Sequence, residues 1–468
     1  VNIVKLKDEL ASIVKYIEKK LPYASAFASI EKGRIVNASQ TSLDASASKT
    51  VAGVTITGFT GRYFIEECTS VISSANLRQM ADAIIARGLK DMNSPGYSED
   101  VFTIDPGDKL IQDFEIKAEI DASSLPLDCF MKEAKIRRDQ IPQITKYATN
   151  CGCRLATLIR ESLFVNRNRM LCQKIPLLES GWYAVLGKDG ETLLASDGAC
   201  LQGGFETIAQ SFSSQREVLE KYEKILGAPR LPDPGIHKCV ISPGVAGLLA
   251  HEAFGHGTET DMYLKRRSKG GDYLNKRVGA NGVFMFDSQK LKGYPGSYFF
   301  DDEGVLAQET VIIDDGILVN GLTDLNSATQ LSLKRTPNGR RESYQNKVYS
   351  RMSNTYFGAG TNTVEEMVSA IDKGYLIELP SNGMEDPKGW GVQCEMMLAR
   401  EILNGKLTEN YFTPVIMTGY VPDILNSITM AGKDLEFFSS GLCGKGRFKE
   451  LVRVSDGGPW LSLTARIA

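Results

Sequence analysis

Two hydrophobic periods alternate along residues 1–226. Residues 2–20 carry the three-to-four spacing of an amphipathic helix. A hairpin is predicted next, with strands over 24–30 and 34–40 and a turn at Glu31-Lys32-Gly33. Residues 51–59 read V-A-G-V-T-I-T-G-F, an alternating strand, and 62–67 predict another. Ser74 caps a helix reaching about Lys90, with Leu77, Met80, Ala81 and Ile84 on one face. Residues 91–115 are rich in Gly, Pro and Asp and read as loop. A helix over 127–143, strands over 144–150, 154–165, 174–186 and 191–203, and a closing helix over 213–226 complete this half.

The stretch Gly227–Gly235 holds three prolines in nine residues, a linker composition. It divides the chain into a framework and substrate-wall domain, 1–228, and a β-rich second domain, 229–468, expected to carry the catalytic chemistry. Beyond it the pattern is mostly β. Strands are expected over 237–241, 309–313, 317–322, 375–379, 391–402 and 407–418, with Asn404-Gly405 as the turn of the last hairpin. A helix is expected over 363–373 and a short one over 421–430. The expected fold class is α+β: helices on an antiparallel sheet, then a curved sheet or open barrel with one helix packed on it.

That one helix carries the chemistry. Ser242 and Pro243 suit an N-cap and a first helical position, and Val245, Leu248 and Leu249 form its buried stripe. It ends in His251, Glu252 and His256, the pattern H-E-x-x-x-H, and two of the chain's three histidines are here. Imidazole is a common metal ligand, and an adjacent carboxylate can accept a proton from metal-bound water. On a regular helix, residues five apart are rotated by about 140° and point away from each other. Either a π-type turn, which closes on i+5, or a helix end at Gly255 would bring the rings together, and one of these distortions is expected. The spacing leaves the third ligand open among Glu259, Asp261 and Cys443.

Composition narrows the rest. A net charge of −3 and a sequence pI near 5.9 argue against a nucleic-acid binder. No apolar run reaches membrane-spanning length, and the N-terminal stretch reads as an amphipathic helix, not a signal peptide. Nine scattered cysteines read as reduced thiols, which makes a cytoplasmic location the expectation. The glycine-rich basic stretch 265–281 reads as a solvated loop, with a lid or carboxylate-grasping role as the sharper alternative.

H-E-A-F-G-H-G-T-E at 251–259 resembles the motif of the TldD/PmbA family, in its metal-bearing TldD-like members. D-D-E-G at 301–304, N-G-R-R-E-S-Y at 338–344, R-M-S-N-T-Y at 351–356 and G-L-C-G-K-G at 441–446 agree in order. The resemblance is dense in the second half and only an outline in the first. It implies a zinc-dependent peptidase of unfolded peptides, historically connected with modulation of DNA gyrase. Zn²⁺ would be held by His251, His256 and Cys443, with Glu252 as general base. It also implies dimers, either with itself or with a PmbA/TldE-like chain lacking the metal motif. The tail from Lys449 to Trp460 departs from the familiar form of the family.

Arg351, Asn354 and Thr355 are the residues expected to bind peptide backbone or a developing oxyanion, with a structural hydrogen-bond network as the alternative. Asp301, Asp302 and Glu303 read more readily as a turn than as ligand-orienting groups. His237, alone on a strand, reads as structural. The rival to hydrolysis is a non-catalytic peptide- or toxin-binding modulator whose zinc is structural; an open coordination position would distinguish the two.

Overall fold

A computed structural model describes residues 3–97, 101–439 and 441–468. Asn2, the first residue of the predicted N-terminal helix, and residues 98–100 of the predicted loop lie outside the described residues. The first half contains α1 (Lys7–Ile17), β1 (Tyr23–Ala38), β2 (Leu43–Ala47), β3 (Val51–Phe59), β4 (Phe64–Thr69) and α2 (Ser74–Met92). It continues with β5 (Leu110–Glu115), α3 (Leu127–Ile144), β6 (Ala148–Asn166), β7 (Arg169–Lys188), β8 (Glu191–Gln202), α4 (Ile208–Ser211) and α5 (Gln215–Ile225). The strands form one sheet in the order β4-β3-β1-β6-β7-β5, with β2 on β1 and β8 on β7.

The turn expected at Glu31-Lys32-Gly33 is absent, and β1 runs straight through it. On one edge β1 changes partner there, from β3 up to Glu31 to β2 from Arg34. On the other edge β6 pairs with it unbroken from Ser25 to Ala38. Gly33 marks a close approach: a Cβ there would stand 1.8 Å from the Thr157 carbonyl oxygen. For the same reason the two strands expected over 144–165 are one, β6. The predicted loop over 91–115 ends in β5, which pairs parallel to β7.

Period-two alternation divides the sheet's faces. Ala24, Ala26, Ala28 and Ile30 of β1 pack with α1 and α2, and Val36 and Ala38 pack with α3 and α5. The opposite face, with Ser25, Phe27, Glu31 and Arg160, looks toward the second half.

The second half opens with β9 (Gly235–Ile241) and α6 (Pro243–Leu249). Five strands close into a barrel: Lys373–Asp386, β9, Leu461–Ile467, Val415–Tyr420 and Gly391–Leu403, the last pairing back to the first. The barrel expected to be open is therefore closed. Residues 407–418 are two strands, Lys406–Phe412 and Val415–Tyr420, divided at Thr413-Pro414. The Asn404-Gly405 turn is present, both residues at positive φ (52° and 71°), as a tight hairpin turn of this kind requires. A second sheet includes Met285–Ser288, Asn354–Phe357 and Ser455–Gly458. The motif helix lies between this sheet and the barrel, burying Val245, Ala246, Leu249, Ala253 and Phe254 in the main core.

One extension was not legible in the sequence. The strand expected to end at Leu379 continues to Asp386 after a left-handed residue at Leu379 (φ 58°) and a bulge at 380–382. Its parallel pairing with β9 stops at Ile377, because β9 turns into the helix. Residues 380–386 thus form an arm that, among the described residues, pairs with Gly391–Met396 alone.

Candidate metal centre

The motif helix changes pitch at its end. Pro243–Leu249 is α-helical, Ala250–Gly255 forms a π-turn, and His256–Thr258 a 3₁₀ turn. Of the two distortions the spacing allowed, the π-turn is the one adopted. Its wider turn stacks residues five apart, so the His251 and His256 rings lie 5.1 Å apart between centroids and perpendicular. Gly255 sits where a Cβ would stand 2.1 Å from the Met352 Sδ, so the turn packs directly on that fully buried side chain.

Cys443 arrives from a hairpin of Leu442–Lys445 and Glu450–Arg453. Its Sγ lies 3.6 Å from His256 Nε2, and the donor atoms of His251, His256 and Cys443 all fall within 4.8 Å of one another. Burial alone would raise the Cys443 thiol, but the two imidazoles outweigh it and hold it well below the usual range. Burial alone would lower both imidazoles, yet Cys443 raises them, His256 the more strongly. His251 Nδ1 is buried with no hydrogen-bond partner. Two imidazoles and a thiolate-prone sulfur converging on one point are a donor set that fits Zn²⁺.

Glu259 is not a fourth donor in this group. Its Oε2 accepts from His256 Nδ1 at 3.1 Å and from Lys445 Nζ at 2.9 Å. Burial would raise this carboxyl, but Lys445 and His256 overcome that and hold it at about 2. Asp261, the other candidate acid, is bonded to Lys445 and Lys265. Glu259 thus steadies the His256 ring from behind.

Glu252 is half-buried in the wall of a cleft of about 850 Å³ that also contains His251, His256 and Cys443. All the residues lining this cleft fall within 248–456, so the first half, expected to wall it, lines two neighbouring crevices instead. The arm supplies Ser381–Glu385 to the cleft, and Lys265 and Arg267 of the basic stretch reach its rim. Gly383, Glu385, Lys445 and Asp456 are lining residues that sequence reasoning missed. For Lys445 the signal was available, two positions after Cys443 in G-L-C-G-K.

The substrate-binding role expected of Arg351, Asn354 and Thr355 does not match their placement. All three are fully buried and none lines the cleft. Arg351 donates to the Cys443 and Glu450 carbonyls, securing the Cys443 hairpin. Asn354 donates to the Ser288 carbonyl and Ser297 Oγ, and Thr355 to Asp287. A strand inside a six-stranded sheet has both edges covered, so its polar side chains serve the sheet. Asp301 accepts from the Glu303 and Val305 amides, as in a turn, and Asp302 pairs with Arg160 at 3.1 Å. His237 bonds the Asp233 carbonyl and packs edge-on against Tyr375.

A closed barrel, a π-distorted helix and a His/His/Cys cluster beside a free carboxylate define the class, a protein built around a candidate metal centre. Residues 234–459 match the PmbA/TldA metallopeptidase C-terminal domain, in agreement with the resemblance that the motifs of this half carry. A metalloprotease of Methanocaldococcus jannaschii is 34% identical over 57% of this chain and 58% of its own length. A zinc metalloprotease TldD homolog of Saccharolobus solfataricus is 32% identical over 50% of this chain and 51% of its own. The match thus spans less than two thirds of these curated relatives. TldE from Thermococcus kodakarensis superposes with a TM-score of 0.75 at 15% identity, covering 98% of this chain and 100% of that one. A candidate modulator of DNA gyrase from Thermotoga maritima gives the same score and identity over 100% of both chains. At that identity, the two solved structures share the fold. No helix among the described residues is long and apolar enough to cross a membrane.

Proposed function

We propose that this chain is a zinc-dependent peptidase acting on unfolded peptides. The observation that carries the reading is the His251/His256/Cys443 cluster opening, together with Glu252, into one large cleft. Three protein donors leave a coordination position free, the arrangement of hydrolytic rather than structural zinc sites. Bound there, zinc would supply the Lewis acid that makes a water molecule acidic near neutral pH. Glu252 would take up that water's proton at a carboxylate oxygen and pass it to the leaving amine. His256 is steadied by Glu259, and the Cys443 hairpin by Arg351. The rival reading, a modulator with a closed structural site, loses support because both spare acids are engaged by lysines.

The arm suggests how a peptide would be gripped. Residues 382–385 pair on one edge only among the described residues, and with Ser381 they line the cleft. An extended peptide could add to the other edge through main-chain hydrogen bonds, which tolerate many sequences. The relationship to TldE extends the proposal to a dimer, with a second copy or with a PmbA/TldE-like chain.

The test is Glu252→Gln beside wild type, with zinc content and peptide cleavage measured on both. Cleavage lost while zinc stays near one per chain is the expected result. A variant that still cleaves would remove Glu252 from the mechanism, and a zinc-loaded wild type that cleaves no peptide would overturn the reading.

A further inference from the structure

The strand that delivers Cys443 also delivers Lys445, two residues on and therefore on the same face. Its ammonium donates to Glu259 Oε2 at 2.9 Å, to Asp261 Oδ1 and to the Ser350 carbonyl at 3.0 Å. An ammonium has three N–H groups, and all three are used. Glu259 Oε2 accepts in turn from His256 Nδ1, and His256 Nε2 faces Cys443 Sγ. A closed circuit therefore runs Lys445, Glu259, His256, Cys443 and back along the strand.

The hairpin needs such an anchor. Among the described residues, Leu442–Lys445 and Glu450–Arg453 pair only with each other, and an isolated two-stranded ribbon is marginal in water. Its tip projects outward, with Phe448 82% exposed. Arg351 and Arg340 hold its backbone to the segment around 340–352. Among the described residues, Lys445 is the hairpin side chain that ties it to the carboxylates following the motif helix. Glu259 and Asp261 are themselves buried, so removing the ammonium leaves two carboxylates without their shared partner.

We propose that Lys445 is a positioning residue that preassembles the three-donor site. It locks the Cys443 hairpin onto the turn after the motif helix and, through Glu259, holds His256 with Nε2 directed at Cys443. Cys443 and His256 lie 187 residues apart in sequence, and without the lock their meeting rests on the backbone contacts of Arg340 and Arg351 and on the metal. The proposal rests on the metal-centre reading of this cleft, but its first readout needs no metal.

That readout is the alkylation rate of Cys443 in metal-free protein, followed by mass spectrometry of the Cys443 peptide. Lys445→Met should raise the rate at least tenfold, because the Cys443 side chain is no longer held against His256. Lys445→Arg, which keeps a buried cation within reach of both acids, should restore most of the protection. The second readout is zinc affinity by chelator competition, with an expected tenfold to hundredfold loss in Lys445→Met, the range for groups that orient a ligand from behind. Wild-type alkylation and affinity in a folded Lys445→Met would overturn the proposal. If Lys445→Met does not fold, Lys445→Arg decides: a folded variant with Cys443 unprotected also overturns it. A wild type that never binds zinc would defeat the peptidase reading, while the thiol protection would still decide this one.

Discussion

Gly383 of the arm lies directly on Glu252: a Cβ at Gly383 would stand 2.5 Å from Glu252 Cγ and 3.2 Å from its Cβ. The arm and the motif helix therefore meet through a residue with no side chain, and Glu252 keeps its place in the cleft wall. Gly383→Ala should push the Glu252 side chain aside without touching a metal donor. Since a 1 Å misplacement can cost roughly a hundredfold in rate, kcat should fall by about that order with zinc content unchanged. Steady-state kinetics with parallel elemental analysis check this; an unaltered kcat would mean that Glu252 needs no such fit.

Removing the sulfur donor tests the centre itself. Cys443→Ala should take zinc from near one per chain to near none, by elemental analysis after dialysis. A chelator should do the same to wild type, and added zinc should reverse it. Zinc retained by Cys443→Ala would mean that two imidazoles and some other donor suffice.

The π-turn has its own dependence on a missing side chain. In Gly255→Ala the new methyl would meet the Met352 Sδ at 2.1 Å and the Ala250 carbonyl oxygen at 3.0 Å. Overpacking of this kind costs about 1–3 kcal/mol. Denaturant midpoints should fall accordingly, and zinc affinity with them, because the turn aligns the two rings. Gly255→Ala combined with a smaller residue at Met352 should recover part of both.

Glu303 gives the chain an unusual pH response. Burial is the main reason its carboxyl is raised well above the ordinary value, with Asp324 adding to it. A raised acid holds its proton in the folded state after the unfolded chain, at about 4.3, has released it. Its contribution is therefore fully favourable below that value and erodes as pH rises toward the folded value. Glu303→Gln keeps an oxygen able to accept from the Leu325 amide. It should be more stable than wild type near pH 8, with the gap closing toward pH 5, by thermal unfolding of the zinc-loaded proteins. A gap that widens toward acid would reverse the assignment.

Charge at the cleft rim sets a salt response. Arg267, Arg447 and Lys449 are exposed there with no ion pair among the described residues, although the chain as a whole carries −3. An acidic peptide should bind Glu252→Gln protein more tightly than its neutral counterpart at low salt. The advantage should shrink above about 0.15 M, where the screening length is about 8 Å. Fluorescence anisotropy across a salt series checks it, and equal affinities at low salt would sink it.

Local pattern was enough for much of this protein. The apolar stripe and H-E-x-x-x-H run marked the motif helix, and their spacing by itself required a distortion. Alternation marked most strands, and Asn404-Gly405 marked its hairpin, because these signals live in side chains only a few positions apart. What depended on partners distant in the chain was not legible. Glu31-Lys32-Gly33 has turn composition, yet the continuous pairing of β6 holds it extended. Arg351, Asn354 and Thr355 have the polarity of a binding surface, but two neighbouring strands enclose Asn354 and Thr355, and the carbonyls of the Cys443 hairpin take up Arg351. The arm over 380–386 has no hydrophobic period, since its course is set by where β9 leaves the barrel. The choice of Glu259 as a support for His256, rather than a ligand, came from Lys445, 186 residues away in sequence. A single chain states its periodicities outright, whereas the pairing of buried charges and strand edges is settled only when the distant segments meet.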